Sequence, residues 1–535
     1  MGKNIIVEFF KKHKISYIIG FIFMMLTSYI QSPFPRVLGN TIDILSTNNF
    51  NFDLVRIKIL YILLIATGTF ISTYAWRNLI VVNARNLECY LRERLFNHFQ
   101  KLSPEFYNQK KTGDLIAYAI NDISAVRMTL GPATAMIINI IILCSISIYS
   151  MSTIISLRLT LMILIPIPFI IIFMLKTGKL VQKQFRKVQE SFAAISGKVQ
   201  ENIYGIRVIK SYVQEEAEDL KFEKLNDAMM NSNINMVKIS SVLSPVIEMS
   251  FSISFVMNLI IGGNMVLNGN ISLGDFIAFN GYLTMIMRPI ISIGRVINIF
   301  QRGIASMKRL DEIFNVKPII NDGSKMISSA IDGEIEFNNL SFSYSNSDIK
   351  VLENIKLKIP KGCTVGIIGK TASGKSTLLN LLLKLYMSPS KEIFIDSIDI
   401  NDYSLETLRS GIGYVPQDNF LFSATIKDNI KFFKDIYTDE EVKKAAQISS
   451  IYESIMRFPN EFDTMLGERG VNLSGGEKQR ISIAIISNPP ILILDDSLSA
   501  VDTITESKVL KNIQKLRINK QGWSRNYEGV EKKCI

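Results

Sequence analysis

The chain has 535 residues, with 60 Lys and Arg against 48 Asp and Glu, a net charge of +12. The length suggests two to four domains, and with hydrophobic residues at 48%, charged residues at 20% and mean hydropathy at +0.23 the composition argues against a purely soluble protein and against disorder. Only two histidines, His13 and His98, and four scattered cysteines, Cys89, Cys144, Cys363 and Cys534, are present, which excludes a His-rich metal cluster, a CxxC zinc pair and a disulfide framework.

The apolar residues concentrate in the first 300 positions. Residues 15–35 carry no charge over 21 positions, 59–76 over 18, 128–157 over 30, 159–175 over 17 and 249–274 over 26. A sixth run, 276–302, is interrupted only by Arg288, Arg295 and Arg302. A bilayer crossing needs about 20 mainly apolar residues, so six transmembrane helices are predicted, with a tight hairpin near Ser156. Residues 15–35 are too long for a signal-peptide core and lack a clear cleavage site, so they read as a retained helix.

Loop charges orient the helices. Segments 46–54, 149–158 and 265–275 hold one basic residue in total, Arg158, whereas 83–130 hold seven and 176–241 hold eleven. Lys3, Lys11, Lys12 and Lys14 add to the N-terminal charge. The positive-inside rule places both termini and the two long loops in the cytoplasm, against anionic lipid. Because the basic residues flank membrane spans, a nucleic-acid partner is not expected.

The long loops have helical periodicity. Residues 180–212 mix charged and apolar residues at helical spacing without proline. A continuous helix from 159 to about 212 would rise roughly 80 Å, far beyond a hydrocarbon core of about 30 Å. Its end should project below the membrane. Two connectors are expected at the far ends of such helix pairs, at 103–113 and at the acidic turn Gln214–Asp219. Pro33, Pro35, Pro166 and Pro168 are read as helix kinks. Glu248 is the one acidic residue near the middle of an apolar run. It is a functional candidate or the end of a helix at the cytoplasmic interface.

Composition changes near Asp311. Glu334–Phe337 and Leu340–Tyr344 alternate as strands do, and Val365–Ile368 reads as a buried strand. It runs into Gly369, Lys370, Thr371, Ala372, Ser373, Gly374, Lys375, Ser376 and Thr377, then a leucine-rich helix. This is G-x-x-x-x-G-K-[ST] between strand and helix. Glycines let backbone N–H groups close on phosphate oxygens, and the helix N-terminus adds partial positive charge. Lys375 would reach the β- and γ-phosphates, and the Ser376 hydroxyl would bind Mg²⁺. Farther on, Ile491–Leu494 is a second buried strand ending in Asp495 and Asp496, a metal-shell carboxylate or a strand-capping pair. Between them, Ser474, Gly475, Gly476 and Glu477 open a helix and expose a second set of N–H groups, a second anion site.

At these residues the chain resembles the ATP-binding cassette exporters of the half-transporter type, from residue 15 to about 516. The Leu473–Arg480 string LSGGEKQR is similar to the family signature. The resemblance implies a helical membrane domain (1–312), a linker (313–332), an α/β P-loop nucleotide-binding domain (333–516) and a divergent tail (517–535). It implies that Tyr344 stacks on adenine, that Gln417 is the Q-loop residue near the metal, that Gly467–Gly470 precede the signature, and that Ser499–Asp502 form the D-loop. Segment 103–113 resembles the first helix that couples to the membrane domain, and Glu201–Lys210 with Glu215 resemble the motif before the second. It further implies ATP with Mg²⁺, held by Ser376, Gln417 and Asp495, and a dimer sandwiching each ATP between the phosphate loop of one chain and the signature of the other. The implied location is the cell membrane, with the nucleotide-binding domain in the cytoplasm.

Two departures from the family pattern shape the expected function. Asp496 stands where hydrolysing members carry Glu, one methylene longer, which implies weak catalysis at this chain's own site and a heterodimer with a competent partner, a homodimer being the alternative. After about Leu516 the sequence lacks an apolar strand and a switch histidine, so a C-terminal truncation or frameshift is expected, with a natural divergent tail as the alternative. The expected activity is ATP-driven export of a small amphipathic compound, drug or lipid-like. The alternatives are a non-hydrolysing ATP-binding subunit and an inactive truncated product.

Overall fold

The structure, a computed structural model, describes residues 2–46, 52–322, 327–345, 347, 349–467, 470, 472–484 and 489–518. The expectations for Glu468, Arg469 and the tail from 519 lie outside the described residues. Two compact units separate: Met1–Gln100 with Thr112–Val316, and Lys101–Lys111 with Lys317–Ile535.

The first unit is helical. Among the described residues, five stretches are long and apolar enough to cross a membrane: Ile5–Ser46, Phe52–Phe99, Thr112–Leu164, Glu215–Leu267 and Leu273–Asn315. The run 159–175, expected as the fourth of six spans, is divided between the end of Thr112–Leu164 and the helix Pro166–Tyr204. That helix carries Lys176, Lys179 and Lys183 within its first half, so its own apolar part is short. The hairpin falls at Ser156, whose backbone is extended (φ −164°, ψ 122°) and whose Oγ accepts from Leu159 N at 3.4 Å.

The single helix expected from 159 to about 212 is broken twice. Pro166 has no N–H to continue the ladder, and Ile165 N falls back to Met162 O at 3.4 Å. The second break is Gly205, followed by the short helix Ile206–Ser211. The acidic turn expected at Gln214–Asp219 is instead the opening of the helix Glu215–Ser240, so the connector is 205–214. Glu215, Glu216 and Glu218 in that first turn face the positive end of the helix dipole. Carboxylates there favour starting a helix over ending one. Pro33 lies in the turn between the helices Gly2–Gln31 and Phe34–Ser46.

Small residues let these helices approach. A methyl on Gly303 would lie 1.8 Å from Thr129 Oγ1, and one on Gly131 would lie 2.4 Å from the Ala84 methyl. Beside this contact the buried Asp122 accepts from Ser306 Oγ at 2.7 Å and pairs with Arg309. Glu88 pairs with Arg127 at 3.0 Å. Asp43 accepts from Ser272 Oγ and Gly274 N, both at 2.6 Å, tying Phe34–Ser46 to the start of Leu273–Asn315. Glu248 is exposed, with Ser244 Oγ donating to it at 3.0 Å.

The second unit contains two sheets. Strands β1 (Ile335–Ser343), β2 (Lys350–Ile359), β3 (Ile393–Ile395) and β4 (Ile398–Asp399) form an antiparallel sheet in the order β2-β1-β3-β4. The two strand-like segments expected at 334–344 are one strand, β1, with a register shift between Phe337 and Leu340 where Asn339 takes φ +53°. Strands β5 (Ile412–Val415) and β6 (Ile491–Leu494) pair in parallel. Phe337, Leu340, Leu378, Leu381, Ile393 and Ile493 are among the residues of one buried core joining both sheets to the helix Lys375–Leu382.

Val365–Ile368 is not the buried strand expected from its apolar run. It has no ladder partner among the described residues, and Val365 and Ile368 are 39% and 71% exposed. Hydrophobicity nominates a strand, but a neighbour accepting its backbone hydrogen bonds makes one. Only Ile367 packs against the core.

Candidate nucleotide site

Two helix N-termini and the end of one strand supply the candidate site. The phosphate-loop helix, Lys375–Leu382, starts from Gly374 in the left-handed conformation (φ +88°) with no side-chain cap. A methyl there would lie 2.8 Å from Leu352 Cδ2 and 2.9 Å from Val351 O. Glycine is therefore required by both backbone and space. The far end of the helix is held by Arg409, whose Nε and Nη2 donate to Leu383 O and Lys384 O at 3.4 and 3.1 Å. A cation at a helix C-terminus matches the dipole.

Lys375 Nζ folds over the loop and donates to Gly369 O at 2.7 Å and Lys370 O at 2.9 Å. Glycine at 369 leaves room for Ser373 Oγ, 2.6 Å from where a methyl would stand. Thr371, Ala372 (φ +65°) and Ser373 complete the turn. Thr377 is buried, and its Oγ1 is 2.8 Å from Tyr344 Oη. The Tyr344 ring meets Phe342 and Tyr386 edge-on, with centroids 5.1 Å away in each case.

Asp495 and Asp496 follow β6. Asp495 N donates to Val415 O at 3.0 Å, and Tyr414 Oη donates to Asp495 Oδ2 at 3.5 Å. Burial, with the Asp495 charge second, pushes the Tyr414 phenol up to about 12. Asp496 turns away at φ +47°, and Gln417 Nε2 donates to its Oδ2 at 3.2 Å. The structure thus joins Gln417 to Asp496. Among the described residues no hydrogen bond joins Ser376 to Gln417 or Asp495. The hydroxyl, amide and carboxylate oxygens of Ser376, Gln417 and Asp495 are hard donors of the kind that complete a Mg²⁺ shell with phosphate oxygens, so the residues fit that ion.

The signature helix, Gly475–Ile483, begins in a different way. Ser474 is its N-cap, with Oγ accepting from Glu477 N at 3.3 Å while Ser474 N donates to Glu477 Oε2 at 2.9 Å. This is a reciprocal capping box. The S-x-x-E spacing is the signal of this capping role, which the reading of Ser474 and Glu477 as anion-site groups does not include. Gly475 and Gly476 retain N–H groups outside that box. A methyl on Gly476 would press on Ala500 O at 2.8 Å.

Gln479 was also missed. Buried, it accepts from Ala500 N at 2.9 Å and donates to Ser499 Oγ at 3.2 Å. Ser499 Oγ in turn donates to Asp496 O at 3.0 Å. One amide therefore holds the signature helix against the turn after Asp496. Asp502 accepts from Thr505 N at 2.9 Å, which holds its carboxyl below the usual range.

Comparison with known proteins agrees with this geometry. The family profile described as ABC transporter transmembrane region matches residues 17–290, and the profile described as ABC transporter matches 352–499. The chain belongs to the ABC transporter family. It is an exporter half-transporter: a multi-pass helical membrane domain followed by an ABC nucleotide-binding domain. The ABC transporter is 35% identical over 514 residues to the Bacillus subtilis (strain 168) protein named probable multidrug resistance ABC transporter ATP-binding/permease protein YheI. That alignment covers 96% of this chain and 88% of the relative. It is 32% identical over 508 residues to the Escherichia coli (strain K12) multidrug resistance-like ATP-binding protein MdlA, covering 95% and 86%. Its fold matches a bacterial Atm1-family ABC exporter solved with ATP bound, with a TM-score of 0.75 at 22% identity over 95% of this chain and 89% of that one.

Proposed function

We propose that this ABC transporter is one half of a heterodimeric exporter that moves a small amphipathic compound across the cell membrane. Its nucleotide-binding domain and both termini face the cytoplasm. Its own ATP site binds nucleotide and hydrolyses it slowly. The names of the relatives support the substrate class, and the loop charges support the orientation.

The observation that carries the catalytic reading is Asp496. Its carboxylate is one methylene shorter than glutamate and is held by Gln417 at 3.2 Å. A reach error near 1 Å costs roughly 10²-fold in rate. The uncapped N–H groups of Lys375–Leu382 and the Lys375 ammonium bind the triphosphate, and Tyr344 stacks on the base. Ser376, Gln417 and Asp495 would hold Mg²⁺, which would supply neutralisation of phosphate charge. Gly475 and Gly476 present their N–H groups to the nucleotide of the partner. ATP stabilises the closed pair of domains and so shifts the population of the membrane halves.

Co-expression and purification test this reading. The chain should return with a different half-transporter, and, with the partner's own site inactivated, Asp496→Glu should raise ATP turnover at this chain's site by about 10- to 100-fold. Recovery of a homodimer with full turnover from the unmodified chain would overturn it.

A further inference from the structure

The segment Lys101–Lys111 belongs to the same compact unit as the nucleotide-binding domain, although the chain on both sides of it belongs to the helical unit. It contains the short helix Pro104–Asn108, placed between the helices Phe52–Phe99 and Thr112–Ala117. Asn108 Nδ2 donates to Tyr386 Oη at 3.0 Å. The Tyr386 ring stands edge-on to the Tyr344 ring, with centroids 5.1 Å apart and planes at 79°. Phe342 closes the group, 6.3 Å from Tyr386. Tyr344 is itself pinned at its hydroxyl by Thr377, in the phosphate-loop helix.

We propose that Tyr386 is a positioning residue: it hands base occupancy at Tyr344 to Asn108, and through the chain to the two helices flanking 101–111. The proposal rests on the reading of Tyr344 as the base platform. Tyr386 is suited to this by rigidity. Its ring moves as one body, and edge-to-face pairs hold a defined geometry. Its backbone is fixed on both sides, because Leu385 N donates to Asn380 O at 2.9 Å and Ser388 is buried just beyond it. A base stacking on Tyr344 favours one ring orientation. The tilt permitted to Tyr386 then makes or breaks its hydroxyl bond to Asn108. The bond carries information because only one nucleotide state satisfies it well, which is the differential interaction coupling requires.

The full chain, in the assembly in which it purifies, serves as the test sample. Hydrogen–deuterium exchange is followed in peptides covering 101–117, with Mg-ATP or with magnesium and sodium triphosphate, which has no base. ATP affinity is measured separately by equilibrium dialysis. Mg-ATP should change exchange in 101–117, and the triphosphate should not. In Tyr386→Phe and Asn108→Leu the ATP response should fall about fivefold, the size of one neutral hydrogen bond. Affinity for ATP should fall by no more than the same factor in both variants, because a bond made better in the ATP state lends its energy to ATP binding. Asn108→Asp, which can accept from the Tyr386 hydroxyl, should restore the response.

A full response in both Tyr386→Phe and Asn108→Leu would overturn the relay, as would an equal response to triphosphate. Loss of ATP affinity in Tyr386→Phe with none in Asn108→Leu would make Tyr386 a direct base contact instead and overturn its positioning role. A wild-type chain that fails to bind ATP would sink the base-platform reading first, and the relay with it.

Discussion

Lys375–Leu382 and Gly475–Ile483 are both helices entered from glycine-rich turns, yet their first turns are built for different purposes. The first begins at left-handed Gly374 with no capping side chain. Its N–H groups are unspent, and Arg409 stabilises it from the far end. The second is capped from within by Ser474 and Glu477 and clasped by Gln479. An anion site strong enough to act alone keeps its donors free. On the proposed reading the second completes a partner's pocket, and such a site can spend some of its donors on holding its own shape.

The largest way to break that comparison is Gly374→Val. The left-handed backbone costs a side chain about 1–2 kcal/mol, and crowding against Leu352 and Val351 adds about 1–3 kcal/mol. ATP affinity at this site should drop by roughly 10²-fold. Binding unchanged in a dialysis assay would show that the phosphate loop tolerates another entry geometry.

Ser474→Ala should act on the other helix, and differently. Loss of the N-cap costs about 1 kcal/mol of stability, read as a lower Tm, while ATP affinity of this chain's own phosphate loop stays the same. Equal loss of ATP affinity would mean the two N-termini are not independent. Gln479→Ala should be smaller in stability than in catalysis. It removes hydrogen bonds to Ser499 and Ala500 and should lower turnover of the assembly by about fivefold per bond lost, with KM for ATP unchanged. A rise in KM with kcat unchanged would count against a role in positioning the turn after Asp496.

The smallest effect concerns the helical extensions. Lys198, then Lys221, hold the Glu218 carboxyl down to about 2. A depressed carboxylate pKa stabilises the fold above the ordinary carboxylate value, and that contribution disappears as pH falls toward the depressed one. The pairs of Lys198 and Lys221 with Glu218, at 2.5 and 2.7 Å, should therefore hold at pH 6 and weaken between about pH 4.5 and 2. Exchange in peptides covering 195–225 should accelerate over that window and not above it. Glu218→Gln should abolish the acid-dependent part of the change.

The legible parts of the fold were those set by local chemistry. Uncharged runs marked the membrane helices, and Gly374, Lys375 and Ser376 marked the phosphate-loop turn. The capping role of Glu477 was missed because its spacing from Ser474 fits both a signature string and a helix cap. Tyr386 and Asn108 were invisible because 278 positions separate them in the chain. Gln479 and Ala500 are closer in sequence, but nothing about a glutamine on a helix announces the backbone N–H it will meet.

By itself the sequence determined which segments are long and apolar and where glycine-rich turns open into helices, because hydropathy, charge and glycine placement act through the residues that carry them. Tertiary structure alone decided that Val365–Ile368 has no strand beside it, that Gln417 reaches Asp496, and that segment 101–111 meets Tyr386. Those outcomes depend on neighbours supplied by distant parts of the chain. A backbone ladder or a side-chain hydrogen bond exists only when both partners arrive within about 3 Å of one another.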